Sequence, residues 1–581
     1  MRRYSKGRLA FCLITVVLLA ALLGPPVRVA AGGPPPRVEV IVQVRGKVGQ
    51  DLEAEEDEEE LEDLAELVEE VGGRVTQRLG IINAVVVRVP EPALRGLQFN
   101  PRIKVYPNAS VQVWEGGVII EPYPYPADSA KWYPDTVYPT LAGAEELHVQ
   151  GVTGDGVTVA VLDTGYWSHP AIDLDSDSEL RALAHYDAVD DYAVEWAQPP
   201  GLNLDPNGHG SHVSSIILSS RRTYYGKYNG VAPDAGLVSV RAFGADGRGS
   251  YADIIQGIEF VVDNKDTYNI RVLNLSFSAE PQSYYWDDPL NQAVMKAWQA
   301  GIVVVASAGN RGPDPITIGV PGNVPYVVTV GALSDNGTPQ DLTDDVLASF
   351  SSAGPTVEAF VKPEVVAPGV KLLGLMPKDG RMARDHPDWY LGYDNYYGMS
   401  GTSQATAVTS GIVALMLQAD PTLTPDDVKC RLMDGASPAV DKKGLLAYAV
   451  FQQGAGLVDA YEAVSSSACG CANRGIDVDY DLDGTAHYSG SANQDKHGDY
   501  IVMDLDGYAW TGDFAWSDGF AWSDGFAWSD GFAWSDAFAW SDGFAWSDAF
   551  AWSDAFAWSD GFAWSDGFAW SDAVDGWVPE E

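Results

Sequence analysis

The sequence predicts an α/β protein: a parallel sheet flanked by helices, preceded by a small α+β unit and followed by a β-type repeat tail. Three observations point there. Apolar segments such as GVTVAVLD, GLVSVRAF, IRVLNLSFS, GIVVVASAGN and VPYVVTVGA alternate with helix-like segments such as YADIIQGIEFVVDN. The apolar segments do not alternate with polar residues, so both faces should be covered, as in a parallel sheet. Near the end of the chain, FAWSD recurs ten times with a period of six.

Length and charge bound what the chain does. At 581 residues it has room for two to four domains. It carries 36 basic and 81 acidic residues, a formal charge of −45. No nucleic acid is expected as a partner, because phosphate binding needs a basic face. The acidity suits a soluble surface, with salt or bound cations around it.

Residues 1–31 read as an export signal. MRRYSKGR is basic, Leu9 to Gly24 is an apolar core, and VAA precedes Gly32. The apolar run is short for a membrane span, and no later stretch is long enough. The expected location is secreted or extracellular, with cell-surface association open and no transmembrane span left after signal removal.

Residues 37–115 follow the order strand, helix, strand, strand: VEVIVQV, an acidic helix candidate, INAVVVRVP and IKVYPNASVQVW. Residues 51–70 hold thirteen acids and no base, a pattern of a solvated helix face or a disordered insert. Residues 135–467 carry the α/β alternation, and motifs at the strand ends should share one crevice along the carboxyl edge.

Residues 468–508 are an Asp/Gly-rich linker or small module. DVDYDLDG, from Asp477 to Gly484, begins like a calcium loop. Counted from Asp479, an EF-hand wants Glu where Gly490 stands, so a non-EF site or a plain acidic turn both fit. Three cysteines remain once Cys12 leaves with the signal. Cys430 can bond Cys469 or Cys471, and sequence leaves the connectivity open; a metal held by three thiolates is the weaker reading.

Residues 509–577 hold the repeats, and twelve of the nineteen tryptophans lie between Trp510 and Trp577. A helix would scatter a period of six over three faces, whereas a strand puts every Phe, Trp and Asp on one side. The expectation is a β-stack or interaction surface. An aromatic ladder also suits a carbohydrate or cell-wall partner.

Four residues stand out for chemistry. GMSGTSQATAVTSG sets Ser403 among small residues ahead of an apolar run. VAVLDTGYWSHP places Asp163 beyond a buried strand, NGHGSHVSSII places His209 between glycines, and VVVASAGN ends in Asn310. Singly, each reads as a turn or structural residue. Together, in the order Asp, His, Ser, they resemble the subtilisin-like serine proteases (subtilases). GVAPDAGLVSVRAF, NLSFS, ASAGN, SSAGP and KPEVVAPG resemble segments of the same family.

The resemblance implies a subtilisin-like fold and a serine endopeptidase acting on protein and peptide substrates. Ser403 would be the nucleophile, His209 the base, Asp163 its orienting acid and Asn310 an oxyanion donor. Ser276, Phe277, Ser278, Ser307, Ala308 and Gly309 would bind substrate. It further implies that residues 37–115 are an inhibitory propeptide, removed by a cut between about Val113 and Pro139, and that Ca2+ binds somewhere. Two departures are visible. Ala407 stands where proline is usual, with little expected effect on the helix. Ser278 stands where glycine is common and should narrow the primary pocket. With no charge in NLSFS or ASAGN, apolar or broad preference is expected. The rival reading is a surface structural or adhesive protein whose protease domain only matures itself.

Overall fold

Chain tracing starts at a small antiparallel sheet. The computed structural model describes residues 36–45, 54–113, 134–195, 202–223, 225–338, 344–440, 446–495, 497–502 and 526–527. The segment expected to be an export signal, most of the expected cleavage window and the repeat tail apart from Phe526 and Ala527 lie outside the described residues.

The N-terminal unit contains β1 (Arg37–Val44), α1 (Ala54–Glu70), β2 (Arg74–Leu79), β3 (Ala84–Pro90), α2 (Glu91–Gln98), β4 (Ile103–Pro107) and β5 (Ser110–Gln112). Its four-stranded sheet has the order β2-β3-β1-β4, antiparallel throughout. The acidic run is helical because Leu61, Leu64 and Val68 recur on one face and bury against Val40, Val42, Val85, Val87 and Val89. Glu62, Asp63, Glu66 and Glu69 face solvent on the other side. Sequence reading passed over α2, a short helix with Pro near its start and Leu97 buried.

The larger unit is built on a nine-stranded sheet. Its strands are β6 (Thr158–Asp163), β7 (Ala182–Asp187), β8 (Tyr192–Glu195), β9 (Gly236–Arg241), β11 (Ile270–Leu275), β12 (Val303–Ser307), β13 (Val328–Ser334), β14 (Val346–Leu347) and β15 (Val365–Pro368). The order is β14-β13-β12-β11-β6-β9-β7-β8, with β15 also on β13. The five apolar segments form β6, β9, β11, β12 and β13, parallel where they neighbour one another. The sheet is nevertheless mixed: β8 and β14 run antiparallel at its edges. A tight turn suffices to return β8 along β7, whereas a parallel partner needs a crossover.

Helices α3 (His209–Leu218), α4 (Tyr251–Asp263), α5 (Pro289–Gln299), α6 (Thr402–Ala419) and α7 (Pro425–Asp434) pack around this sheet. Every residue of α6 from Thr402 to Leu417 is buried. Small residues let it sit that deep: a side chain at Gly411 would meet Val231 at 2.5 Å. α3 packs against α6, which brings the starts of both helices to the same end of the sheet.

One buried ionic cluster ties the far side together. Lys362 and Lys429 both donate to Glu364 Oε1, at 2.6 and 2.9 Å, and all three side chains are fully buried. Burial pushes the Lys362 ammonium down to about 7. Beyond it, Cys430 is bonded to Cys471, which resolves the open connectivity, and Cys469 is free and exposed.

The expected calcium loop folds differently. Asp477 Oδ1 accepts from the Asp479 and Tyr480 amides and caps a one-turn helix, α8 (Val478–Leu482). Asp481 turns inward and accepts from Tyr285 Oη at 2.5 Å, Tyr326 Oη at 3.1 Å and His487 Nδ1 at 2.8 Å. Its oxygens are committed to protein donors. Among the described residues no group of three or more His, Cys, Asp or Glu is placed to hold a metal. The segment from Asp477 to Gly484 therefore does not present the set of free carboxylates that a Ca2+ loop needs. Among the described residues no helix is long and apolar enough to cross a membrane.

Candidate active site

Asp163 ends β6 and His209 begins α3, so the sheet edge and a helix start present the two side chains to each other. His209 Nδ1 lies 2.7 and 2.9 Å from the two Asp163 oxygens, and neither side chain is exposed. A carboxylate can only accept, so Nδ1 carries the proton and Nε2 keeps its lone pair. The Thr164 amide donates to Asp163 Oδ1 at 2.7 Å and fixes the carboxylate.

Ser403 is the second residue of α6. Its hydroxyl donates to the Ser276 carbonyl at 2.9 Å, and Ser276 Oγ donates back to the Ser403 carbonyl at 3.0 Å. Asn310 is pinned by its oxygen, which accepts from Thr402 N at 2.9 Å and Thr402 Oγ1 at 3.2 Å. That leaves its NH2 end to face away from Thr402. Ser403 and Asn310 line the same cavity of about 340 Å³. The α6 N-terminus adds partial positive charge at that place.

The same cavity takes Phe277, Ser278 and Ser307 from the two expected wall segments. Ser276, Ala308 and Gly309 stand behind the lining: Ser276 Oγ bonds the Ser403 carbonyl, Ala308 N donates to Val330 O at 3.0 Å and Gly309 N to Thr402 Oγ1 at 3.3 Å, while Ser307 Oγ donates to the Phe277 carbonyl at 2.7 Å. The Ser278 hydroxyl rests over two glycines; a Cβ at Gly319 would lie 1.9 Å from it, and one at Gly309 2.9 Å. Glu280 and Arg311, ion-paired with each other, also line the cavity. Sequence reading placed no charge on this wall. The signal was there, one residue past ASAGN and two past SFS.

The N-terminal unit reaches into this site. β5 runs antiparallel to β10 (Arg248–Ser250), with Val111 opposite Gly249. On its other side Gln112 bridges antiparallel to Ser278. The Val113 amide donates to Gly247 O at 2.9 Å, and Gln112 and Val113 line the cavity with Ser403. The unit docks on α4 and α5 through Gln43, whose Nε2 donates to Gln292 Oε1 at 2.6 Å, and through Ile81, whose amide donates to Glu259 Oε1 at 3.0 Å. Lys104 pairs with Asp287 nearby.

A largely parallel α/β sheet with a buried acid–imidazole pair, and with a helix-borne serine and an amide lining one cavity, fits a hydrolase of the serine type. The model of the subtilase family, peptidase S8, matches residues 154–456. The chain is 40% identical over 320 residues to serine protease AprX of Bacillus subtilis strain 168, covering 54% of this chain and 67% of that protein. It is 30% identical over 379 residues to subtilisin E of the same organism, covering 64% and 80%. Fervidolysin from Fervidobacterium pennivorans, a keratinolytic enzyme related to subtilisin, shares the fold with a TM-score of 0.54 at 20% identity, over 82% of this chain and 69% of that one. The chain belongs to the subtilase family and is a serine endopeptidase.

Proposed function

We propose that Asp163, His209 and Ser403 are the catalytic triad of a secreted endopeptidase made as a self-processed precursor. The observation that carries this is the buried Asp163–His209 pair, with the helix that His209 begins packed on the helix whose Ser403 lines a cavity with Asn310. Ser403 Oγ turns from the Ser276 carbonyl to His209 Nε2, loses its proton there and attacks the substrate carbonyl. The Asn310 NH2 and the Ser403 N–H receive the oxyanion. His209 returns the proton to the departing amine, and water repeats the cycle on the acyl-enzyme. Asp163 keeps the imidazole tautomer and offsets its charge.

In this reading residues 37–115 are the inhibitory propeptide. The support is β5, which lies in the cleft as an added strand and is followed by Val113, which lines the same cavity as Ser403. Residues 135–467 form the catalytic domain, 468–508 a packed appendage and 509–577 an aromatic tail for cell-wall, carbohydrate or protein contacts. Phe277, Ser278 and Ser307 shape a primary pocket for apolar side chains. Export follows from the basic and apolar N-terminal segment.

Casein hydrolysis by the purified protein, abolished in Ser403→Ala, tests the assignment. N-terminal sequencing of the processed form should start within a few residues after Val113. Retained hydrolysis in Ser403→Ala removes the triad; cutting that ends at self-processing favours a surface protein that only matures itself.

A further inference from the structure

The residues assigned so far do not explain Asp205. It lies in the loop before α3, is fully buried, and its hydrogen bonds come from hydroxyl and backbone amide donors. Burying a carboxylate among neutral groups is costly unless its oxygens are fully used. Here five donors converge on it. Oδ1 accepts from Thr164 Oγ1 at 2.8 Å, Gly208 N at 2.7 Å and Asn207 N at 3.2 Å. Oδ2 accepts from Ser211 N at 2.8 Å and Ser211 Oγ at 2.7 Å.

These donors come from two places. Gly208 and Ser211 flank His209, at the start of α3. Thr164 follows Asp163, at the end of β6, and its own amide holds Asp163 Oδ1. Thr164 Oγ1 in turn accepts from Gly210 N at 2.8 Å, so one hydroxyl is shared between Asp205 and the residue after His209. The backbones are correspondingly tight: a side chain at Gly165 would meet Leu204 O at 2.1 Å, and Leu204 N donates to Tyr166 O at 2.8 Å.

We propose that Asp205, through Thr164, is a positioning residue that locks the Asp163 strand end to the His209 helix start and so sets the imidazole in working alignment. This rests on the triad reading above. Asparagine at 205 keeps one acceptor and turns an NH2 on the donors of the other side. The clamp then loosens without touching substrate, and a misplacement of about 1 Å in a catalytic group costs on the order of 10²-fold in rate.

The test compares Asp205→Asn, Thr164→Val, Thr164→Ser and the double variant Asp205→Asn/Thr164→Val in the full chain, with rates normalised to active sites titrated by an irreversible serine reagent. Asp205→Asn should lower kcat about 10²-fold with KM within threefold. The acidic limb of kcat/KM should move to lower pH, since a negative charge near the imidazole is lost. Thr164→Val should fall similarly, Thr164→Ser should stay near wild type because the hydroxyl remains, and the double variant should be no worse than either single one. A kcat for Asp205→Asn within threefold of wild type overturns the proposal, as does a Thr164→Ser variant as impaired as Thr164→Val. If Asp205→Asn does not fold, the two Thr164 variants decide. Ser403→Ala run alongside keeps the cases apart: activity surviving there sinks the triad, whatever Asp205 does.

Discussion

Asn310 is held by its acceptor end, with Thr402 on its oxygen, so the amide has one orientation available for donating. Asn310→Ala should lower kcat by about 10²–10³-fold, the loss seen when the side-chain oxyanion donor is removed from subtilisin. Steady-state kinetics on a peptide amide checks it; turnover within threefold of wild type takes Asn310 out of the site. Ser278 makes the second test. Its hydroxymethyl fills space above Gly319, so Ser278→Gly should raise kcat/KM for large apolar side chains at least about tenfold over small ones. An unchanged ratio places the specificity elsewhere. At this scale much was legible: Asp163, His209, Ser403 and Asn310 each sit in a short motif whose order narrows the chemistry. Asp205 was not, because Asn–Leu–Asp–Pro–Asn reads as an ordinary turn until its five donors are seen. Glu280 and Arg311 were missed because their effect depends on which loops meet.

Among elements, the contact between the N-terminal unit and α4, which Gln77 and Asn108 also make, includes one titratable carboxyl group. Burial, with Asp263 nearby, pushes Glu259 up to about 7 while it accepts from Ile81 N. A Cβ at Gly80 would lie 2.7 Å from its Oε1, so the approach suits glycine. Released into water, the group returns towards the usual carboxylate range. The docked state therefore binds more protons: docking is favoured at low pH and weakens as pH rises from about 4.5 through 7. Hydrogen-exchange protection of β3, measured in the full-length Ser403→Ala protein, should fall between pH 5 and pH 8, and Glu259→Gln should flatten that change. Equal protection at both values in the parent rejects the idea. Strands β6, β9, β11, β12 and β13 were readable because apolar runs need cover on both faces, whereas β7, with its polar end, and the four-residue β15 were not. Edge strands β8 and β14 were not, being short and paired on one side. DVDYDLDG left a calcium loop and a plain acidic turn both open because capping and calcium-binding aspartates share a composition, and Tyr285, Tyr326 and His487 show where Asp481 points.

Over the whole molecule, surface and interior treat charge oppositely. The chain carries −45 in total, yet a Lys–Glu–Lys cluster lies fully buried between β15, α7 and the loop before β13. Lys429 also donates to the Pro325 and Tyr326 carbonyls and to Asn473, so the cluster anchors the C-terminal appendage. Glu364→Gln would remove the anion that Lys362 and Lys429 share, leaving an uncompensated buried charge or forcing an amine to give up its proton, and should cost about 3–5 kcal/mol of unfolding free energy. Urea titration in the Ser403→Ala background, which cannot digest itself under the triad assignment, measures the difference; a loss below about 1 kcal/mol means the cations find other partners. The cleft carries a further consequence. Because Gln112 is held between Arg248 and Ser278 by main-chain pairing, entry demands a stretch of about four residues drawn out straight. Helices and well-packed sheets of a target cannot supply that until they come apart locally. Cutting should thus follow the thermal fraying of the victim more than its spelling.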